Sequence, residues 1–375
     1  MKRVGIVTLD GTSNYGNRLQ NYALQQTLEQ LGYEVDTLVP KFPETETLKE
    51  KIERWIKIVS QESVLSFIGK VRLQLFERKY PELRKKRNVV FDNFTERYIR
   101  FRKSGKAFDD MTTLCQWGEE YDYFVVGSDQ VWRPAYIANN KYYMNFYFLQ
   151  FADISKRAAY AASFGISELP EDMVTLYAPY IKDMVNISVR EAAGQKILKE
   201  SFQKDSELVI DPTMLLTKEQ WLSIANEDCV KTKKYILVYF LGNIEKKLEQ
   251  EIKTFANDNQ LEIINLAKAK GNSAYISGPA EFISYIQHAQ LVCTDSFHGT
   301  VFSILLHTPF LAFERSFSEM MSRIDTLLDT FSLQARKVRS IYDVNNVLEC
   351  DFLETEHILE KERRKAVEFL KSVLV

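Results

Sequence analysis

The residues best equipped for chemistry stand together at Asp295-Ser-Phe-His-Gly-Thr300. An apolar run, Leu291-Val-Cys293, ends abruptly there, and a second one, Val301-Phe-Ser-Ile-Leu-Leu306, starts at once with helical spacing. That pattern predicts strand, tight loop and helix, with Ser296, His298, Gly299 and Thr300 at the helix start. Free backbone N–H groups and the positive end of the helix dipole meet at such a turn and favour an anion. A histidine among them can pair with a phosphate or pass a proton. A well-capped helix with a packed histidine explains the same residues.

Five further polar groups fall at predicted strand ends, where open parallel sheets bind ligands. Asn14-Tyr-Gly-Asn17 follows the strand Val4–Leu9, and Gly127-Ser-Asp-Gln130 follows Tyr121–Val126. Ser163-Phe-Gly165 follows Arg157–Ala162, Arg190-Glu191 follows Val185–Val189, and Asp211-Pro212 follows Glu207–Ile210. Each has a bland reading. Asp211 suits an Asx-capped turn, Asp129 a helix cap, and Gly16, Gly127 and Gly165 the needs of the backbone. Arg190 would pair with Glu191 or with a carboxylate across the cleft. His288, His307 and His357 read as structural or solvent-facing.

The elements that must position these groups alternate strand with helix, which predicts an α/β fold of parallel sheets. A second series of strands covers Tyr235–Phe240, Leu261–Leu266, Leu291–Cys293 and Phe310–Phe313, with helices between. At 375 residues the chain exceeds one ordinary core. We divide it into a domain over 1–217, a domain over 218–350 and a helix over 351–375 that crosses back on the first half. Two parallel α/β halves then face one cleft.

The alternation breaks over about 47–106, a helical insertion. From Lys49 to Lys106 there are 17 Lys and Arg against 7 Asp and Glu, a local net of +10 in a chain of net charge −2. Such a face can rest on an anionic membrane surface or accept a polyanion; it can equally face water. Arg84-Lys-Lys-Arg87 lies within it, but the acidic remainder and the lack of any nucleic-acid-binding motif argue against nucleic acid. Four scattered cysteines and a start without a leader pattern point to a cytoplasmic protein without structural zinc. There is no P-loop, GxGxxG, GxSxG or HExxH. A metal site is not expected.

Taken in order, Val125-Val-Gly-Ser-Asp-Gln-Val-Trp132, Ala161-Ala-Ser-Phe-Gly165, Ile187-Ser-Val-Arg-Glu191, Asp211-Pro-Thr-Met-Leu-Leu216 and Thr294-Asp-Ser-Phe-His-Gly-Thr300 resemble the polysaccharide pyruvyl transferase family. The likeness runs from about Val4 to about Leu333 apart from the basic insertion. It implies two Rossmann-like domains facing a cleft in the GT-B manner. It also implies transfer of the pyruvyl group of phosphoenolpyruvate to two hydroxyls of one sugar, releasing phosphate. Phosphoenolpyruvate would be the co-substrate, with no resident cofactor. The acceptor would be a sugar of a cell-surface polysaccharide or a lipid-linked oligosaccharide at the inner membrane face.

On that resemblance His298, Asp129 and Arg190 are the candidate catalytic residues. His298 is either the general acid or a phosphate ligand, Asp129 a base or hydroxyl acceptor, and Arg190 an anion clamp. Asn14, Asn17, Ser128, Gln130, Ser163, Gly165, Ser296, Gly299, Thr300, Arg315 and Arg323 are candidate substrate contacts. Many family members carry an acid where this chain has Asn17, a change that bears on the acceptor. Two rivals stand beside this reading: a GT-B glycosyltransferase with a nucleotide-sugar donor, and a non-catalytic binder of glycan precursors.

Overall fold

The computed structural model describes residues 1–11, 13–41, 80–107, 112–138, 140–229, 233–268, 273–314 and 322–375. Residues 47–79 of the basic segment and Arg315 lie outside the described residues.

Two all-parallel sheets, each flanked by helices, make two Rossmann-like lobes. In the first, β1 (Arg3–Val7), β2 (Glu34–Lys41), β3 (Phe101–Ala107), β4 (Tyr123–Asp129), β5 (Arg157–Ala162), β6 (Asn186–Val189) and β7 (Glu207–Leu208) take the order β3-β2-β1-β4-β5-β6-β7. In the second, β8 (Tyr235–Tyr239), β9 (Glu262–Asn265), β10 (Leu291–Thr294), β11 (Phe310–Phe313) and β12 (Lys337–Val338) take the order β12-β11-β10-β8-β9. The order reverses between β1 and β4 in one sheet and between β8 and β10 in the other. Those switch points are where parallel sheets open a crevice for ligand. The loops after β1, β4 and β10 are the polar ones of the sequence.

The central strands read as continuous apolar runs because helices cover both faces. Val4, Ile6, Val125, Ile236 and Val292 are fully buried. One apolar cluster runs through both lobes on one side of the crevice. In it Tyr15 of the first lobe stacks on Phe282 of the second, ring centroids 4.4 Å apart, and donates its hydroxyl to the Ser277 carbonyl at 3.0 Å.

The described part of the basic segment is helical over Pro81–Tyr98, as expected, and departs from that character only at its end. The Pro81–Tyr98 helix is followed by β3, a strand that pairs in parallel with β2. Its sequence, Phe-Arg-Lys-Ser-Gly-Lys-Ala, hides the strand because β3 is a sheet edge, where charged residues are placed against unwanted pairing. Arg87 is no solvated charge either. It is buried, donates to the Tyr15 hydroxyl at 3.0 Å and to the Tyr275 carbonyl, and lies over the rings of Tyr15, Phe91 and Tyr275. It ties this helix to the second lobe.

The Leu353–Val373 helix returns to the first lobe. Arg363 donates to the carbonyls of Met214 at 2.7 Å and Leu216 at 2.8 Å, and Phe369 packs near Tyr160. Among the described residues, no helix is long and apolar enough to cross a membrane.

Candidate active site

Arg190, just past β6, is the centre of the site. Its guanidinium is wholly buried and donates to Asp211 Oδ2 and to Asp129 Oδ1, both at 2.8 Å, with Glu191 Oε2 at 3.6 Å from Nε. All three carboxylates come from its own lobe, not from across the crevice. Burial opposes the charge on Arg190, but Asp129, Asp211 and Glu191 outweigh it and raise its pKa. Beneath it lies the ring of Phe297, 4.6 Å from the guanidinium carbon.

His298 arrives from the second lobe. Ser296 caps the Phe297–Leu305 helix by accepting from Gly299 N at 3.3 Å. The next residues turn inward, so His298 is buried, with Nε2 3.7 Å from Asp211 Oδ1 and no hydrogen-bond partner. At that length the pair is electrostatic rather than hydrogen-bonded. A Cβ built on Gly16 would stand 2.0 Å from His298 Nδ1, so the start of the Tyr15–Gln30 helix and the histidine helix meet end to end.

Three carboxyls at one arginine behave differently. Burial pushes Asp129 up, but Arg190, His298 and Arg323 together hold it below its usual range. Burial likewise opposes the Asp211 charge, and His298, Arg190 and the Thr213 hydroxyl hold that carboxyl far below its usual range. In Glu191 burial prevails over Arg190 and Arg323, and its pKa is raised; neither of its oxygens has a hydrogen-bond partner. Arg323, from the Ser322–Thr330 helix of the second lobe, is also buried. Its Nη1 is 3.9 Å from Asp129 Oδ1 and its Nε is unpaired. Burial and the neighbouring Arg190 push it down to about 10.

The other sequence candidates divide. Asn17 joins the centre, its side-chain amide donating to Asp129 Oδ2. Asn14 is exposed and caps its helix by accepting from Asn17 N at 3.3 Å. Gln130 and Gly165 pack on each other at the edge, where a Cβ on Gly165 would stand 2.8 Å from Gln130 Oε1. Ser128, Ser163 and Thr300 are fully buried with hydroxyls engaged inside the protein. Ser128 donates to Asp211 Oδ2 at 3.1 Å, Ser163 accepts from Gly165 N at 3.1 Å, and Thr300 donates to the Ser296 carbonyl at 3.1 Å. Gly299 lets the turn approach Thr294, whose Oγ1 would be 2.5 Å from a Cβ there.

Two central residues escaped the sequence reading. Asp211 does cap its turn, accepting from Thr213 N at 3.1 Å, and with its other oxygen it also holds Arg190. For Glu191 the sequence alone suggests only a pairing role with Arg190. Its position beside Arg190 at a strand end was the available signal.

The fold and this site define a two-lobed, GT-B-like transferase with a buried arginine–histidine–carboxylate centre between the lobes. A family model for polysaccharide pyruvyl transferase matches residues 14–316. The chain belongs to that family. A search of curated proteins found no match. Among solved structures, the chain is similar to a glycosyltransferase from Rickettsia africae, at 10% identity and a TM-score of 0.47, covering 100% of this chain and 99% of that one. It is also similar to a UDP-GlcNAc 2-epimerase from Methanocaldococcus jannaschii, at 12% identity and a TM-score of 0.45, covering 96% and 99%.

Proposed function

We propose that this chain transfers the pyruvyl group of phosphoenolpyruvate to two hydroxyls of one sugar, forming a cyclic ketal and releasing phosphate. The observation that carries the reading is a pair of buried, unpaired nitrogens at the carboxylate cluster: Nε of Arg323, whose Nη1 is 3.9 Å from Asp129, and Nε2 of His298, 3.7 Å from Asp211. A doubly anionic donor would complete both. Family membership supports the same chemistry.

In this reading Arg323 and His298 hold the carboxylate and phosphate, and bidentate guanidinium contacts suit either group. His298 then delivers a proton to the methylene carbon, which makes the central carbon electrophilic. One sugar hydroxyl attacks that carbon and gives up its proton, phosphate leaves with its bridging oxygen, and the second hydroxyl closes the ring with loss of its own proton. Asp129, held ionised and therefore weakly basic, suits a hydroxyl-orienting role better than proton abstraction. Glu191, with its raised pKa, is the better proton acceptor. Arg190 keeps Asp129 and Asp211 in place.

Phosphate release from phosphoenolpyruvate, followed by phosphorus NMR with a panel of nitrophenyl and lipid-linked sugars and confirmed by product mass, tests the reading. Protection of the protein against heat by a nucleotide sugar but not by phosphoenolpyruvate would overturn it in favour of glycosyl transfer. Basic residues of the insertion would bring the protein to a lipid-linked acceptor at an anionic membrane. Vesicle co-sedimentation equal for neutral and anionic lipids would exclude that part.

A further inference from the structure

The Pro81–Tyr98 helix of the basic segment touches both lobes beside the reaction centre. Asn88 accepts from the Ser13 hydroxyl at 2.5 Å, just before Tyr15 in the chain. Val90 reaches Gly278 of the second lobe, where a Cβ would stand 2.5 Å from Val90 Cγ1. Beside these contacts Arg87 turns into the protein and is buried. We infer that Arg87 is a positioning residue for His298, acting through Tyr15 and Gly16. It rests on the pyruvyl-transfer reading only in making His298 the proton donor.

The Tyr15 hydroxyl is the joint. It accepts from Arg87 Nη1 at 3.0 Å and donates to the Ser277 carbonyl at 3.0 Å, so one oxygen links the basic helix, the first lobe and the second. Arg87 Nη1 also donates to the Tyr275 carbonyl, close along the chain to Ser277. The guanidinium carbon lies 4.7 Å from the Tyr15 ring centroid and 5.0 Å from those of Phe91 and Tyr275. A planar cation suits this place because it stacks on rings and donates from its edge at once, which an ammonium cannot do.

The Tyr15 ring is held as firmly as its hydroxyl. It stacks on Phe282 and meets Tyr239 edge-on, with centroids 5.5 Å apart. The next residue is Gly16, where a Cβ would stand 2.0 Å from His298 Nδ1. A shift of the phenol ring is therefore passed through one peptide to the wall of the imidazole. His298 Nε2 makes no hydrogen bond that would resist it, so packing at Gly16 sets the 3.7 Å distance to Asp211 Oδ1.

The test follows the His298 imidazole by NMR in the full chain, labelled at the histidine Cε1 positions and assigned by the signal lost in His298→Ala. Arg87→Met and Tyr15→Phe break the same joint. Each should move the His298 signal and change its titration midpoint by about 0.5 pH unit or more. The double variant should add little to either, because residues acting through one contact are not additive. Glu96→Gln, an exposed charge change on the same helix, should leave the signal in place. A signal and midpoint equal to wild type in Tyr15→Phe overturn the inference, and that variant alone decides if Arg87→Met does not fold. Fully additive effects, or an equal change in Glu96→Gln, overturn it as well. Phosphate release from phosphoenolpyruvate is measured on the same samples. There kcat should fall roughly 10- to 100-fold in both variants, and KM should rise much less, because Arg323 stands on another helix. A moved signal without phosphate release by wild type keeps the positioning role and removes the pyruvyl reading; release with an unmoved signal does the reverse.

Discussion

Gly16 and His298 face each other from opposite lobes with no space for a methyl group between them, since a Cβ on Gly16 would stand 2.0 Å from the imidazole Nδ1. Tyr15, the preceding residue, is pinned by its stack on Phe282 and by its bond to the Ser277 carbonyl. The helix start cannot retreat without disturbing the apolar cluster that joins the lobes. The glycine thus sets where the imidazole stands.

Gly16→Ala should therefore displace His298 and leave the fold intact. A misplacement of about 1 Å in a reacting group costs on the order of 10²-fold in rate. Turnover measured beside the circular dichroism spectrum separates the two effects. Wild-type turnover in this variant would show that the contact does not position the histidine.

Arg323→Gln should weaken phosphoenolpyruvate binding while leaving the fold close to native. Hydrogen bonds to a charged group contribute about 1.5–3 kcal/mol, which corresponds to roughly 10–150-fold in affinity. Titration calorimetry with phosphoenolpyruvate reads it. An unchanged dissociation constant removes Arg323 from the donor site.

Arg190→Met carries a different signature, because this side chain balances Asp129 and Asp211 inside the protein. Removing one partner of a buried ion pair costs about 3–5 kcal/mol. The urea midpoint should fall accordingly, and Asp211→Asn made in addition should recover part of the loss. A midpoint equal to wild type would mean that the two carboxylates find other partners.

The carboxyls give stability opposite pH dependences. Asp129 and Asp211 are held below the ordinary value of 3.8, so the folded form loses protons more readily than the unfolded chain. Their contribution is complete above about pH 4 and disappears as pH falls through their folded values. Glu191 is raised above 4.5, so the folded form holds its proton longer and stability declines as pH rises through the raised value. Glu191→Gln should therefore be more stable than wild type at pH 8 and equal to it near pH 4. Melting temperatures across that range decide the matter, and a less stable variant at pH 8 refutes the assignment.

Much of this architecture was legible in the residue order. Buried parallel strands such as Val4-Gly-Ile-Val7 and Tyr235-Ile-Leu-Val-Tyr239 are apolar throughout, and the helix after β10 announces its start with Ser296. The edge strand β3 was not legible, because an edge carries charge instead of an alternating pattern. Nor did the sequence distinguish hydroxyls that face a ligand from those that hold a loop. Ser128 and Thr300 sit in the most motif-like turns, yet both are engaged inside the protein.

By itself, then, the sequence determined which loops end strands and which of them carry His298, Asp129 and Arg190, since periodicity and turn chemistry are local properties. Only the tertiary structure decided who meets whom. Strand order brought Asp211 and Asp129 to the two sides of one guanidinium, and lobe packing set His298 against Gly16. Those pairings are 21, 61 and hundreds of residues apart, and they depend on which strands become neighbours. Burial opposes both carboxylate charges: at Asp211 the His298, Arg190 and Thr213 contacts overcome it, whereas at Glu191, one residue along the chain from that arginine, it prevails.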